Sequence, residues 1–136
     1  MIAVMEAFKH GDLRVLKDVI HDDIVWKSTA PAPLFRFGGE RSKREHINDL
    51  LALIFATYLF RRFDPKEIVA ENDIVWGLFE VEAVYLPARA TVRTDFAMRW
   101  RVRDGKIVEH QGFFDTASVL LQQGDFPVPA AAKLGA

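Results

Sequence analysis

The sequence predicts one α+β domain in which helices come first and a strongly curved antiparallel sheet follows. Two observations predict it. Apolar residues recur at helical spacing in two stretches before residue 60, whereas from Arg61 onward they alternate with a period of two. Turn signals at Glu71-Asn72-Asp73, Pro87-Ala88 and Asp104-Gly105 then cut the second half into a meander of long strands. Such an order requires the helices to cover one face of the sheet. A chain of 136 residues, half of them hydrophobic, builds one core rather than two.

Each element has a local reason. Ile2, Met5, Phe8, Leu13, Leu16 and Ile20 mark two short helices that meet at His10-Gly11-Asp12, with Asp12 capping the second. Ile24 to Ser28 is β-branched and aromatic and forms the first strand, stopped by Pro31 and Pro33. Residues 29–42 hold those prolines and Gly38-Gly39 and form an irregular loop, which Phe35 and Phe37 make apolar, the composition of a lid over a pocket. Ser42 and Glu45 are spaced as a capping box for a long helix whose stripe runs Ile47, Leu50, Leu51, Ile54, Phe55, Tyr58. Strands are expected over 62–71, 73–86, 91–103 and 106–116, and Arg103-Asp104-Gly105-Lys106 is the strongest hairpin signal. Residues 1–124 make up the domain, and the aperiodic stretch 125–136 reads as a tail.

Composition excludes several functions. Eighteen basic against nineteen acidic residues give a net charge of −1, without the cationic excess that drives nucleic-acid binding. The absence of cysteine removes disulfides, thiolate metal sites and a cysteine nucleophile. The longest nearly uncharged apolar stretch, Leu50 to Phe60, falls short of the roughly 20 residues of a membrane span, and the N-terminus does not read as a signal peptide, so cytoplasm is the default expectation. His10, His21, His46 and His110 lack metal-ligand spacing; His10 and His21 sit at helix ends, and His110 alternates away from Asp115. Gly38-Gly39 lacks the lysine and helix of a phosphate loop. No cofactor and no metal are expected.

Alternation assigns faces. Phe96, Met98, Trp100 and Val102 share one side of their strand, with Asp95, Arg99, Arg101 and Arg103 on the other. Phe79, Val81 and Ala83 oppose Glu80 and Glu82 in the strand before. A register pairing Glu82 with Arg99 and Glu80 with Arg101 would line the outer face with opposite charges and the inner face with aromatics. Together with Arg61, Arg62, Arg89 and Arg93, these arginines suit a charge-paired or dimeric sheet face better than an anion site.

Four stretches carry a likeness to known proteins: Ala7 to Leu13, Asp23 to Trp26, Arg101 to Glu109 and Phe113 to Gln122. In order and spacing the chain resembles the nuclear transport factor 2-like superfamily, and within it the SnoaL-like polyketide cyclases and ketosteroid isomerase relatives. The resemblance implies a cone-shaped half-barrel wrapped around the long helix, an apolar pocket open at one end, and a homodimer formed through the outer sheet face. It hosts isomerases, cyclases, dehydratases, hydrolases and non-catalytic binders alike. Trp26, Phe79, Phe96, Met98, Trp100 and Phe113 would point into the cone, with Ser28 and Tyr58 able to donate hydrogen bonds to a bound carbonyl; a small apolar or aromatic molecule is the expected partner.

Asp115 is the leading candidate for chemistry. The resemblance gives its position, in the Phe-Asp-Thr-Ala pattern, an acid/base role, and simple alternation puts it on one face with Ile107 and Phe113. A buried carboxylate there would take a proton from carbon beside a carbonyl, the step of a cofactor-independent isomerase, cyclase or dehydratase. The competing reading makes Asp115 the cap of a following turn near Ala117 and Ser118, which suits a non-catalytic ligand-binding domain. Arg93-Thr94-Asp95 has the Arg-x-Asp spacing of limonene epoxide hydrolases, with Asp115 as a second acid, but parity puts Asp95 outside in an ion pair. The ketosteroid isomerase pattern of an aspartate base with tyrosine and aspartic-acid donors lacks counterparts in the first helix and first strand. The Glu109-His110 pair before the last aspartate recurs in cyclase-like relatives.

Overall fold

The computed structural model describes His10 and residues 12–125. Asp12 caps helix α1 (Leu13–Val19), its carboxylate accepting from the Arg14 amide at 3.1 Å. The first helix expected upstream, and the tail beyond Asp125, lie outside the described residues. Strand β1 (Ile20–Ser28) begins directly after α1, four residues earlier than expected, so His21 is a strand residue whose Nδ1 accepts from the Asp23 amide. The loop that follows contains one regular piece, β2 (Gly39–Ser42), paired antiparallel to β1.

Helix α2 (Arg44–Thr57) starts at Lys43, whose φ of 73° turns the chain out of β2 and whose side chain makes no capping bond. The expected capping box does not form. Ser42 is occupied as a strand residue opposite Val25, and its carbonyl meets His46 Nδ1 at 3.0 Å. Ile47, Leu50 and Leu51 are the buried stripe of α2. Tyr58, read as its last apolar position, has extended dihedrals and opens β3 (Tyr58–Glu71). The meander continues through β4 (Ile74–Tyr85), β5 (Ala90–Arg103) and β6 (Lys106–Phe114). Helix α3 (Thr116–Gln123), where only a turn was expected, ends the described fold.

The six strands form one curved, unclosed sheet in the order β2-β1-β6-β5-β4-β3, with β1 and β6 parallel and the other neighbours antiparallel. Asp104 and Gly105, both at positive φ, close the β5–β6 hairpin as the sequence predicts. The β4–β5 register differs from the expected one by six residues: Glu82 faces Arg93 and Glu80 faces Asp95, because the four-residue loop Leu86–Arg89 fixes Tyr85 opposite Ala90. A six-residue shift is even, so the faces survive it. Phe79, Val81 and Ala83 are buried inward, as are Met98 and Trp100, while Arg93 bonds Glu82 and Lys66 bonds Asp95 outside.

Strand β6 departs from simple alternation. Val102 pairs with Ile107 but Arg101 pairs with Glu109, leaving Val108 as the extra residue of a bulge. Beyond it the faces exchange: His110 and Gly112 are buried inward, and Glu109 turns out between Arg99 and Arg101 at 3.0 and 3.2 Å. The main core joins α1, α2, β1 and the inner sheet face, and a second cluster of Ala30, Phe35, Val92, Val119 and Leu120 seats α3 and the proline loop. Among the described residues no helix is long and apolar enough to cross a membrane.

Candidate functional site

Between the inner sheet face, the end of α2, the proline loop and α3 lies an apolar cavity of about 100 Å³ that opens to solvent. Its lining is mostly apolar and aromatic with a few polar groups, the composition of small-molecule sites. Of the residues expected there, Trp26, Ser28, Tyr58, Phe96 and Met98 line it. Phe79 is fully buried behind the wall, its ring lying over Gly77, where a Cβ would come within 2.5 Å of it. Trp100 is also buried outside the lining, on the far side of His110.

Phe113 and Asp115 are corrected by the bulge and by α3. Phe113 lies on the outer face, stacked on Trp76 at 5.9 Å, and the inward aromatic is its neighbour Phe114, stacked on Phe96 at 5.1 Å. Asp115 is exposed and lies outside the cavity lining; its carboxylate accepts from the Ser118 amide at 3.0 Å as the N-cap of α3. Burial in the pocket, the premise of a proton-abstracting role, does not hold for this side chain. The Arg93–Asp95 pair is likewise outside, with Thr94 between them lining the cavity. Phe37 joins the wall, whereas Phe35 is buried in the second core cluster against Phe114.

The polar group that alternation misplaced is His110. Its ring is stacked on Trp26 with centroids 3.6 Å apart and planes inclined by 18°, and its Nδ1 accepts from Trp100 Nε1 at 2.6 Å. Among the described residues its Nε2 has no hydrogen-bond partner and sits beside Gly112, where a Cβ would stand 3.4 Å away. One signal in the sequence pointed here: simple alternation would have put Glu109 and Gln111 on the apolar face, which the cost of burying a carboxylate forbids. Burial holds the imidazole down to about 3 from its ordinary 6.5, with no charged neighbour contributing.

The other cavity-lining hydroxyls are at least partly engaged. Tyr58 donates to Gln123 Oε1 at 2.7 Å, Gln123 donates on to Asp125 at 2.8 Å, and burial pushes the Tyr58 phenol well above its usual range. Thr94 donates to the Asp95 carbonyl, and Ser28 Oγ accepts from the Ala30 amide at 3.2 Å, leaving its O–H to donate. Ser28 and His110 stand on adjacent parallel strands, where Trp26 pairs with His110 and Ser28 with Gly112. Ser28 and His110 thus bring polar groups to an apolar wall, and among the described residues no carboxylate lines it. Among the described residues no group of three histidine, aspartate or glutamate side chains is placed to hold a metal ion.

A curved, unclosed sheet folded over a helix with an apolar cavity between them defines an α+β half-barrel. The chain belongs to the SnoaL-like domain family, whose model matches residues 2–110. No curated protein sequence matches it. Solved structures share the fold at low identity. A proposed isomerase from Rhodopseudomonas palustris superposes with a TM-score of 0.80 at 17% identity, over 88% of this chain and 89% of that one. TerC, co-crystallised with polyporic acid, gives 0.79 at 23%, over 90% and 94%. IdmH from Streptomyces antibioticus, a proposed polyketide cyclase, gives 0.73 at 24%, also over 90% and 94%.

Two outcomes follow. Asp115→Ala should lower stability by about 1 kcal/mol through loss of the cap, while Asp115→Asn, an equally good cap, stays within about 0.3 kcal/mol; equal losses in urea melts would show that the cap is not what the carboxylate contributes. For His110 the unfolded chain takes up a proton below pH 6.5 and the folded chain does not. Stability is therefore unaffected above 6.5 and is lost as pH falls toward 3, with a slope approaching about 1.4 kcal/mol per pH unit. His110→Gln should remove about 1.4 kcal/mol of the stability lost between pH 7.5 and 5.5; an unchanged loss would mean that the folded imidazole takes up its proton as readily as the unfolded one.

Proposed function

We propose that this domain binds a small, largely apolar or aromatic molecule carrying an oxygen, held in the cavity with that oxygen against His110 Nε2. The observation that carries the reading is a buried imidazole with one nitrogen engaged and the other unpartnered in an apolar wall. A binding role is favoured over proton abstraction by Asp115, because that carboxylate is exposed and engaged as a cap. Turnover is the second reading. A neutral imidazole donor in a dry cavity would stabilise an enolate oxygen, the charge that develops when an isomerase or cyclase removes a proton beside a carbonyl. Among the described residues no carboxylate lines the cavity to act as the base. Arg93, Asp95 and Asp115, the trio of an epoxide hydrolase-like alternative, all sit outside the cavity lining, which counts against that reading.

Calorimetric titration with 1-indanone and with indene, bicycles of similar shape with and without a carbonyl, tests the binding reading. Both should bind, the ketone tighter by a factor of about 2 to 12, one neutral hydrogen bond's worth. His110→Leu should close that gap. Absence of saturable binding by either compound would overturn the reading.

We also infer that the outer sheet face pairs with a second copy. Val69, 66% exposed, stands opposite Trp76, 45% exposed, and Trp76 meets Phe113 across β5, forming an apolar strip. Ion pairs flank it, Arg62–Glu80 and Lys66–Asp95 on one side and Arg99–Glu109 and Arg101–Asp73 on the other. An apolar centre with a charged rim is the usual anatomy of an interface. Sedimentation should give a dimer that Trp76→Glu converts to monomer; a wild-type monomer at tens of micromolar would sink this inference.

A further inference from the structure

We propose that Trp100 is a positioning residue that fixes which nitrogen of His110 carries the proton, and thereby restricts the cavity to ligands presenting a hydrogen-bond acceptor. This rests on the reading of the cavity as a ligand site and adds the class of ligand it takes.

The argument begins with the indole. Its N–H donates and has no lone pair to accept with. At 2.6 Å from Trp100 Nε1, His110 Nδ1 has to supply the lone pair, so the single proton of the neutral ring falls to Nε2. The register holds this arrangement, since Trp100 lies directly opposite His110 in the β5–β6 ladder and both are buried. Trp26, stacked at 3.6 Å on the ring face, holds the imidazole plane. Turning the ring over would set a carbon against the indole N–H and leave a buried donor unsatisfied. Histidine often adapts by moving its proton between nitrogens, and this contact removes that freedom.

The consequence concerns sign. His110 lines the cavity, and its Nε2, carrying the proton, lies beside Gly112, over which the Phe96 ring packs. A carbonyl, ether or phenolate oxygen meets a complementary proton there, whereas an ammonium or indole-type N–H meets another N–H. Rejection of a ligand whose polar group mismatches a buried one is stronger than rejection by shape alone. Ser28, whose O–H also remains to donate, stands on the neighbouring strand and reinforces the preference.

Two measurements test the proposal. In ¹⁵N spectra of the ligand-free protein at neutral pH, the signals lost in His110→Gln should show a protonated Nε2 and a bare Nδ1. Trp100→Phe, which keeps a ring and removes the donor, should give a mixture of tautomers. A wild-type ring protonated on Nδ1, or an unaltered tautomer in Trp100→Phe, would overturn the proposal. Calorimetry then compares 1-indanone, an acceptor, with indole, a donor. The wild type should prefer the ketone by about fivefold or more, and Trp100→Phe should bring the two within about twofold. Equal affinities in the wild type would also overturn it. Should neither compound bind while the spectra show the Nε2 tautomer, the binding reading falls and the role of Trp100 in fixing the proton stands. Should Trp100→Phe fail to fold, the wild-type spectrum and ligand preference still decide.

Discussion

The extra residue at Val108 decides which half of β6 meets the cavity. Without it, the tight turn at Asp104-Gly105 would carry strict alternation along the strand and place Glu109 and Gln111 against the apolar wall. Removing a carboxylate from water without a partner costs several kcal/mol. The bulge sends Glu109 outward to two arginines, whose guanidinium groups, Arg99 first, hold its carboxyl below the usual range. It sends His110 inward, where the ring satisfies the Trp100 indole and fills a slot against Trp26. The outer ion pairs and the inner histidine are thus two faces of one register choice.

That choice also explains what the sequence concealed. The order of helices and strands, the inner faces of β4 and β5 and five of the cavity-lining residues were legible because periodicity needs no long-range information. The β4–β5 register was misread through charge matching. Strand β5 carries Arg93, Arg99, Arg101 and Arg103 on its outer face, so several even shifts bring Glu80 or Glu82 opposite an arginine, whereas the loop at Pro87-Ala88 centres the hairpin so that Glu82 meets Arg93 and Glu80 meets Asp95. Phe113 was misplaced for a different reason. A bulge carries no obligatory residue, and no glycine announces this one; the evidence for it lay in the cost of the alternative rather than in any motif.

Asp115 shows where a resemblance and a local signal compete. Its position invited an acid/base role, yet Asp-Thr-Ala-Ser is also a good start for a helix, and the capping bond to Ser118 is the arrangement the structure adopts. The family model ends at residue 110, before Gly112, Phe114, Asp115 and Val119. The match is therefore silent on the segment that closes the cavity and carries this aspartate. Helix α3 follows from that segment as well, and its seat on β5 is specific: Gln122 accepts from the Arg93 amide at 2.7 Å and donates to the Arg93 carbonyl at 2.9 Å, standing in for a strand where β6 has ended.

A neutral imidazole and a serine hydroxyl stand in an apolar wall that, among the described residues, holds no carboxylate. Stabilising a negative oxygen is half of enolisation; the other half is a group that accepts the carbon-bound proton, and it has to reach the same space. The inner faces of β1 and β5 offer Ser28 and Thr94 as the polar positions from which such a group would project. Both are neutral, and Thr94 already donates to the backbone of Asp95. The acidic residues of this part of β5 and of the junction of β6 with α3 are committed elsewhere, Asp95 to Lys66 outside and Asp115 to the helix cap. In such a cavity the difference between a binder and an enzyme rests on whether a proton acceptor reaches the space beside these polar groups.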